Sequence, residues 1–85
     1  LKSLGLYACE ALENVDGLAN CTQLTSLNLS WCKALLNVDG LVNCTQLTSL
    51  NLTECEEVNP IPHEWYMTTR EEVAAYQKLI KAAMA

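Results

Sequence analysis

Leu24-Thr-Ser-Leu-Asn-Leu-Ser-Trp-Cys32 decides the fold, because it is the middle copy of a unit that occurs three times. The first copy is Leu1-Lys-Ser-Leu-Gly-Leu-Tyr-Ala-Cys9, and the third is Leu47-Thr-Ser-Leu-Asn-Leu-Thr-Glu-Cys55. Corresponding residues are 23 positions apart, and residues 1–23 and 24–46 are identical at 16 of 23 aligned positions. A period of this length predicts a repeat architecture in which stacked units share one core.

The first part of each unit alternates apolar with small polar residues, and a period of two is the signature of a strand. In the middle unit, Leu27 and Leu29 are predicted to point into the core, and the residues that alternate with them to face solvent. Strands from successive units would then form a sheet with an uncharged polar face. The predicted solvent-facing residues are Ser3, Gly5 and Tyr7, then Ser26, Asn28 and Ser30, then Ser49, Asn51 and Thr53.

The second part of each unit places apolar residues three positions apart, as in Leu12, Val15 and Leu18. This spacing suits 3₁₀ turns, in which the side chains at i and i+3 eclipse. Asp16 and Asp39 are predicted to cap these turns, because a carboxylate can accept free backbone N–H groups. Strands on the inside and short helical turns on the outside predict a curved solenoid.

The pattern Leu-x-x-Leu-x-Leu-x-x-Cys resembles the leucine-rich-repeat family, and the run from Cys21 to Cys32 is similar to its cysteine-containing subclass. The resemblance covers residues 1–61, with a shorter period than is usual for that subclass. It implies an α/β fold: a right-handed solenoid with short parallel strands on the concave face and 3₁₀ or short helical turns on the convex face. It also implies a buried ladder of Cys9, Cys32 and Cys55.

The end of the chain departs from the repeat. Residues 47–61 form a partial third unit with Ile61 at the Val15/Val38 position, and Pro60 and Pro62 then divert the chain. Residues 62–68 are therefore predicted to be a connector.

A C-terminal helix is predicted over residues 69–84. Thr68-Thr-Arg-Glu71 and Thr69-Arg-Glu-Glu72 are both capping-box patterns, and apolar residues follow at helical spacing. This amphipathic helix would cover the open end of the repeats. Trp65 and Tyr66, just before it, are predicted to pack against the last unit.

The five cysteines fall at two repeat positions, and 10 or 11 residues lie between consecutive cysteines, which is unlike the short spacing of zinc ligands. An odd number at repeat positions favours small buried side chains over disulfides, and free thiols favour a reducing compartment, the cytoplasm. His63 is the single histidine. We therefore expect no metal, no cofactor and no enzymatic activity. The predicted structural cysteines are Cys9, Cys32 and Cys55 at one position and Cys21 and Cys44 at the other.

The net charge of −5 disfavours binding to nucleic acid, because an acidic surface repels the phosphate backbone. No run of 18 apolar residues occurs, so no membrane span is expected.

Two functions remain open. The first is a non-catalytic protein–protein interaction module, interpreted as the C-terminal part of a longer array, which binds a partner through its concave face. The alternative is a structural element that forms a homo-oligomer through the apolar edge of the first unit. The predicted concave-face contacts are Tyr7, Ser26, Asn28, Ser30, Trp31, Asn51 and Thr53, and the predicted edge residues are Leu1, Leu4, Leu6, Leu12 and Val15.

Overall fold

The computed structural model describes residues 3–84, apart from the side chain of residue 84, and contains a four-stranded sheet and a C-terminal α-helix. The strands are β1 (Ser3–Gly5), β2 (Ser26–Asn28), β3 (Ser49–Asn51) and β4 (Tyr66–Met67); helix α1 is Arg70–Met84, and 3₁₀ turns lie at Asp16–Leu18 and Asp39–Asn43. Strands β1, β2 and β3 pair in parallel, and β4 pairs antiparallel to β3. The predicted α/β class, with parallel strands and a C-terminal helix, is confirmed.

The 23-residue period sets the strand register. Each residue of β1 pairs with the residue 23 positions later in β2, and β2 pairs with β3 in the same way. The hydrogen bonds repeat as well: the Leu6 N–H donates to the Asn28 carbonyl and the Leu29 N–H to the Asn51 carbonyl, both at 2.8 Å. As the alternation predicts, Leu27 and Leu29 are buried in the core.

Asparagine side chains, rather than the predicted aspartates, satisfy the N–H groups at the start of the 3₁₀ turns. Asn14 Oδ1 accepts the Asp16 N–H at 3.1 Å, and Asn37 Oδ1 accepts the Asp39 N–H at 3.3 Å. Neither turn has a side-chain cap from its N-cap residue. The prediction that Asp16 and Asp39 act as caps is wrong, because an asparagine can reach its own backbone two residues further on.

One glycine marks where consecutive units approach most closely. A Cβ on Gly40 would collide with the carbonyl oxygen of Val15 and would lie 3.0 Å from the Val15 carbonyl carbon. Gly17 holds the same position in the first unit, and a Cβ there would meet nothing within 4 Å. Glycine is therefore a steric requirement in the second unit but not in the first.

The third unit keeps its register as far as Asn59, whose N–H donates to the Leu36 carbonyl at 3.0 Å. Ile61, two residues later, is 54% exposed, whereas Val38 at the corresponding position is fully buried. The repeat pattern of burial therefore ends before Ile61, and the next residue, Pro62, is buried in its place. The predicted connector also contains a strand, β4, which closes one side of the sheet.

Helix α1 begins at a side-chain cap of the predicted kind. Thr69 Oγ1 accepts the Glu72 N–H at 3.2 Å, and Glu72 Oε1 accepts the Thr68 N–H at 3.1 Å. Val73, Tyr76 and Ile80 are buried on the face of the helix that covers the second 3₁₀ turn.

Gln77 completes the hydrogen bonding at this end of the repeats. Its Nε2 group donates to the Leu41 carbonyl at 2.7 Å and to the Cys44 carbonyl at 3.0 Å. Its Oε1 accepts from Arg70, which also donates to the Leu47 carbonyl. Between the first two units, the equivalent carbonyl of Leu18 accepts the Cys44 thiol, 26 residues later. Gln77 thus takes the place of the thiol that a further unit would supply.

Candidate functional site

A polar groove of about 330 Å³ lies on the face of the sheet that points away from the core. Among residues 3–84, no charged residue lines this groove. The side chains of its floor form two rows across the strands, which follow directly from the strand register. The serine row is Ser3, Ser26 and Ser49, and the second row, here called the amide row, is Gly5, Asn28, Asn51 and Tyr66.

The two asparagines of the amide row are held by their own backbone. Asn28 Oδ1 accepts the Ser30 N–H and Asn51 Oδ1 accepts the Thr53 N–H, each at 3.0 Å. A backbone N–H requires an oxygen acceptor, so these bonds fix which side of each amide is the NH₂ group. Neither Nδ2 group has an acceptor among residues 3–84. The groove therefore offers oriented hydrogen-bond donors.

Gly5 interrupts the amide row at the first strand. It pairs with Asn28 in the register, yet it has no side chain, and a Cβ built there would meet nothing within 4 Å. The position held by an amide on β2 and β3 is therefore an open space on β1, here called the notch. The amide row thus differs along its length although the units share the same 23-residue period.

Tyr66 forms the opposite end of the amide row, and sequence reasoning missed it. The prediction that Trp65 and Tyr66 both pack against the last unit is correct for Trp65, which packs partly buried against the core. It is wrong for Tyr66, which is 55% exposed and lines the groove. The signal was present in the alternation of Trp65, Tyr66 and Met67, in which the first and third residues pack inward.

Two predicted contact residues are less available than expected. Ser30 is buried, so its prediction as a solvent-facing contact is wrong. Its N–H donates to Asn28 Oδ1, and its carbonyl accepts the Ala8 N–H at 2.8 Å, which places the residue at the boundary between units. Thr53 is partly buried and donates its hydroxyl to Asn51 Oδ1 at 2.6 Å.

Tyr7 and Trp31 are exposed, 67% and 49%, but neither lines the groove. They follow the strand ends, and Trp31 has a left-handed backbone with φ of 64°. Lys33 Nζ lies 5.0 Å from the centroid of the Trp31 ring and donates to Glu56 at 2.9 Å. That hydrogen bond raises the pKa of Lys33. Of the predicted contacts, Ser26, Asn28 and Asn51 line the groove, and Tyr7 and Trp31, here called the rim residues, lie outside it. Ser30 and Thr53 belong to neither set.

The cysteines form a ladder of thiol donors. Cys32 donates to the Leu6 carbonyl at 3.0 Å and Cys55 to the Leu29 carbonyl at 2.9 Å. Burial raises the pKa of both thiols, and also that of Cys44, which keeps them protonated and able to donate. Cys9 and Cys21, in the first unit, are only partly buried, so the prediction of burial fails for both. All five cysteines are free.

A second cavity, of about 290 Å³, lies between α1 and the segment before it. Its walls are mainly apolar, and it is lined by His63, Glu64, Met67, Glu72, Ala75, Tyr76 and Leu79. Within residues 3–84, no group of three or more His, Cys, Asp and Glu side chains is placed to hold a metal ion. Over the same residues, no helix has the length and apolar character that crossing a bilayer requires.

Comparison with known proteins gives no match: no family model, no curated protein and no solved structure is similar to this chain. The function is therefore argued from the residues and geometry of the groove.

Proposed function

We propose that this chain is the end of a leucine-rich-repeat solenoid and acts as a non-catalytic module that binds a protein partner. Three features support the solenoid. The strand register equals the 23-residue sequence period, the thiol ladder links each unit to the one before it, and α1 covers one end. The sheet face that carries the polar groove is then the concave face, and five free thiols favour a cytoplasmic location.

The observation that carries this proposal is the pair of oriented amides on the groove floor. Asn28 and Asn51 are fixed by their backbone bonds, so they can donate to a ligand without first losing conformational freedom. The surrounding side chains are small and uncharged, and Tyr66 supplies an exposed aromatic surface at one end. Preorganised donors beside an aromatic anchor are typical of protein-recognition surfaces.

Selection of displayed random dodecapeptides on the purified chain tests the proposal. Recovered peptides should lose binding to Ser26→Arg, which puts a long side chain into the groove, and should keep binding to Thr22→Arg. Thr22 is exposed and outside the groove, so this control adds the same charge. Equal binding to both variants, or no enrichment over the starting library, would refute binding at this face.

Self-association through the first unit is a second candidate, carried by a difference in burial between the units. Leu6 and Leu12 are partly buried, whereas the corresponding Leu29 and Leu35 are fully buried. Leu4 shows the same difference from Leu27, Val15 is buried, and Leu1 lies outside the described residues. Because α1 covers the other end, copies that pair through this edge would close as a two-fold dimer.

Sedimentation equilibrium under reducing conditions tests the second candidate. A dimer should dissociate in Leu12→Glu, and it should persist in Leu36→Glu. Leu36 is 49% exposed, and the corresponding residue of the first unit is Glu13, so this control introduces a residue that the repeat already accommodates. A parent chain that stays monomeric at every concentration would exclude self-association.

A further inference from the structure

We propose that the partner segment is an extended, uncharged peptide that runs across the strands along the amide row. In this arrangement a peptide carbonyl accepts from the Asn28 and Asn51 amides, one side chain enters the notch at Gly5, and another packs on Tyr66. This inference rests on the proposed function and specifies the chemistry of its ligand.

The fixed amides determine which chemical groups the ligand must present. Asn28 and Asn51 pair directly in the strand register, so their side chains lie about 4.8 Å apart. At that spacing both NH₂ groups can reach a single oxygen, each at about 2.9 Å. Asn51 Oδ1 already accepts two hydrogen bonds, from the Thr53 N–H and hydroxyl, and Asn28 Oδ1 accepts one, whereas neither NH₂ group has an acceptor among residues 3–84, so the pair acts chiefly as a donor. A ligand group that fits between them is an acceptor.

Among acceptors, the neutral carbonyl fits best. The net charge of the chain is −5, and no cation among residues 3–84 lines the groove, so a carboxylate would enter against an unfavourable field. A peptide backbone supplies neutral carbonyls at regular intervals and side chains on either side of them. The rim residues Tyr7 and Trp31 are exposed aromatics of the kind that protein partners contact.

The length of the amide row sets the length of the segment. From Gly5 to Tyr66 the row spans three strand spacings, roughly 14 Å. An extended chain rises about 3.4 Å per residue, so four residues cover the row. The two ends differ, with an open space at Gly5 and an aromatic ring at Tyr66, and this difference gives the bound peptide a direction.

Gly5→Asn separates binding from folding. The substitution extends to β1 the arrangement already present on β2 and β3, in which the asparagine accepts the N–H two residues later, here that of Tyr7. We therefore expect thermal stability to be kept or raised, and peptide affinity to fall at least about tenfold because the notch is filled.

Asn28→Asp tests the donors with almost no change of shape. A carboxylate still accepts the Ser30 N–H, but the NH₂ group that donates to the ligand is lost. We expect a loss of affinity of at least about tenfold. Asn43→Asp is the matched control, because Asn43 is exposed on a 3₁₀ turn outside the groove. The affinity of this variant for the peptide should stay within about twofold of that of the parent.

The probe is a positional-scanning library of acetylated hexapeptide amides, followed by fluorescence anisotropy with the tightest sequence and thermal denaturation of each variant. Unchanged affinity in folded Gly5→Asn and Asn28→Asp would overturn the inference while leaving a peptide-binding function intact. Tighter binding of neutral tetrasaccharides, such as cellotetraose or chitotetraose, would also overturn it. If the parent binds no hexapeptide, but displayed dodecapeptides bind the parent and lose binding to Ser26→Arg, only the inference is refuted. If the parent binds no hexapeptide, and the dodecapeptides are not enriched or bind Ser26→Arg and Thr22→Arg equally, the proposed function is refuted as well.

Discussion

Replacing Gln77 with methionine should weaken the attachment of helix α1 to the repeats. The side chain is buried, and its Nε2 group donates to the Leu41 and Cys44 carbonyls at the end of the repeats. Methionine fills a similar volume but donates no hydrogen bond. The substitution therefore tests the hydrogen bonds with little change in packing.

The size of the effect follows from which groups lose a partner. Each of the two carbonyls keeps one turn hydrogen bond, from the Cys44 N–H and the Leu47 N–H, both at 3.1 Å. Losing the second bond costs about 1 kcal/mol at each carbonyl, and losing the Arg70 contact to Oε1 costs about 1–2 kcal/mol. The free energy of unfolding should thus fall by about 3–4 kcal/mol. For a domain of this size, this corresponds to a Tm lower by roughly 12–32 °C.

Thermal and urea denaturation followed by circular dichroism measure this loss. Lys78→Met is the matched control, because Lys78 is exposed on the next position of the same helix and its change should stay within about 0.5 kcal/mol. A Gln77→Met variant as stable as Lys78→Met would show that the two carbonyls need no donor from α1. The account of Gln77 as a substitute for the next ladder thiol would then be wrong.

Three further predictions concern the repeats. Gly40→Ala should lower the free energy of unfolding by about 1–3 kcal/mol, because the new Cβ meets the preceding unit. Gly17→Ala should be neutral or stabilising by up to about 1 kcal/mol, and equal losses for the two variants in urea denaturation would contradict this. Cys55→Ala should lower the free energy of unfolding by about 1–3 kcal/mol, at least twice the effect of Cys9→Ala, because Cys55 is fully buried and Cys9 is not. Chemical denaturation at about pH 7 measures both variants, and similar losses would count against the ladder. The free energy of unfolding should also fall as pH rises from about 9. Burial raises the pKa of the three buried thiols and of the Tyr76 hydroxyl, so the unfolded chain loses these protons at lower pH than the folded chain. A flat profile between pH 8 and about 10.5 in urea titrations would refute this.

The local patterns of the sequence were enough to predict the three parallel strands and the helix. Alternation in Leu-x-Leu places Leu27 and Leu29 inside, and the capping box places the start of α1. These features depend on residues within one turn or one strand of each other. The 23-residue period then predicts the register, because identical units can stack only with equivalent residues side by side.

The features that the sequence did not reveal depend on contacts between distant segments. Gln77 bonds to carbonyls 36 and 33 residues earlier, and no local pattern marks it as a donor. Strand β4 has only two residues, so the alternation of Trp65, Tyr66 and Met67 is too short to identify a strand without its pairing to β3. The groove residues Ser26, Asn28 and Asn51 were predicted as polar contacts, but the fixed amides of the two asparagines depend on a backbone conformation that composition does not reveal.

The difference in burial between the first unit and the second has a dynamic consequence. Local unfolding begins where few apolar contacts oppose it, so the amides of residues 3–23 should exchange with solvent earlier than those of the second unit and of α1. Strand β1 belongs to this softer part, and it also carries the notch at Gly5. A ligand that spans the amide row would fasten β1 to the rigid strands beside it. Occupancy of the groove would then slow exchange across the whole first unit, far beyond the residues in contact with the ligand.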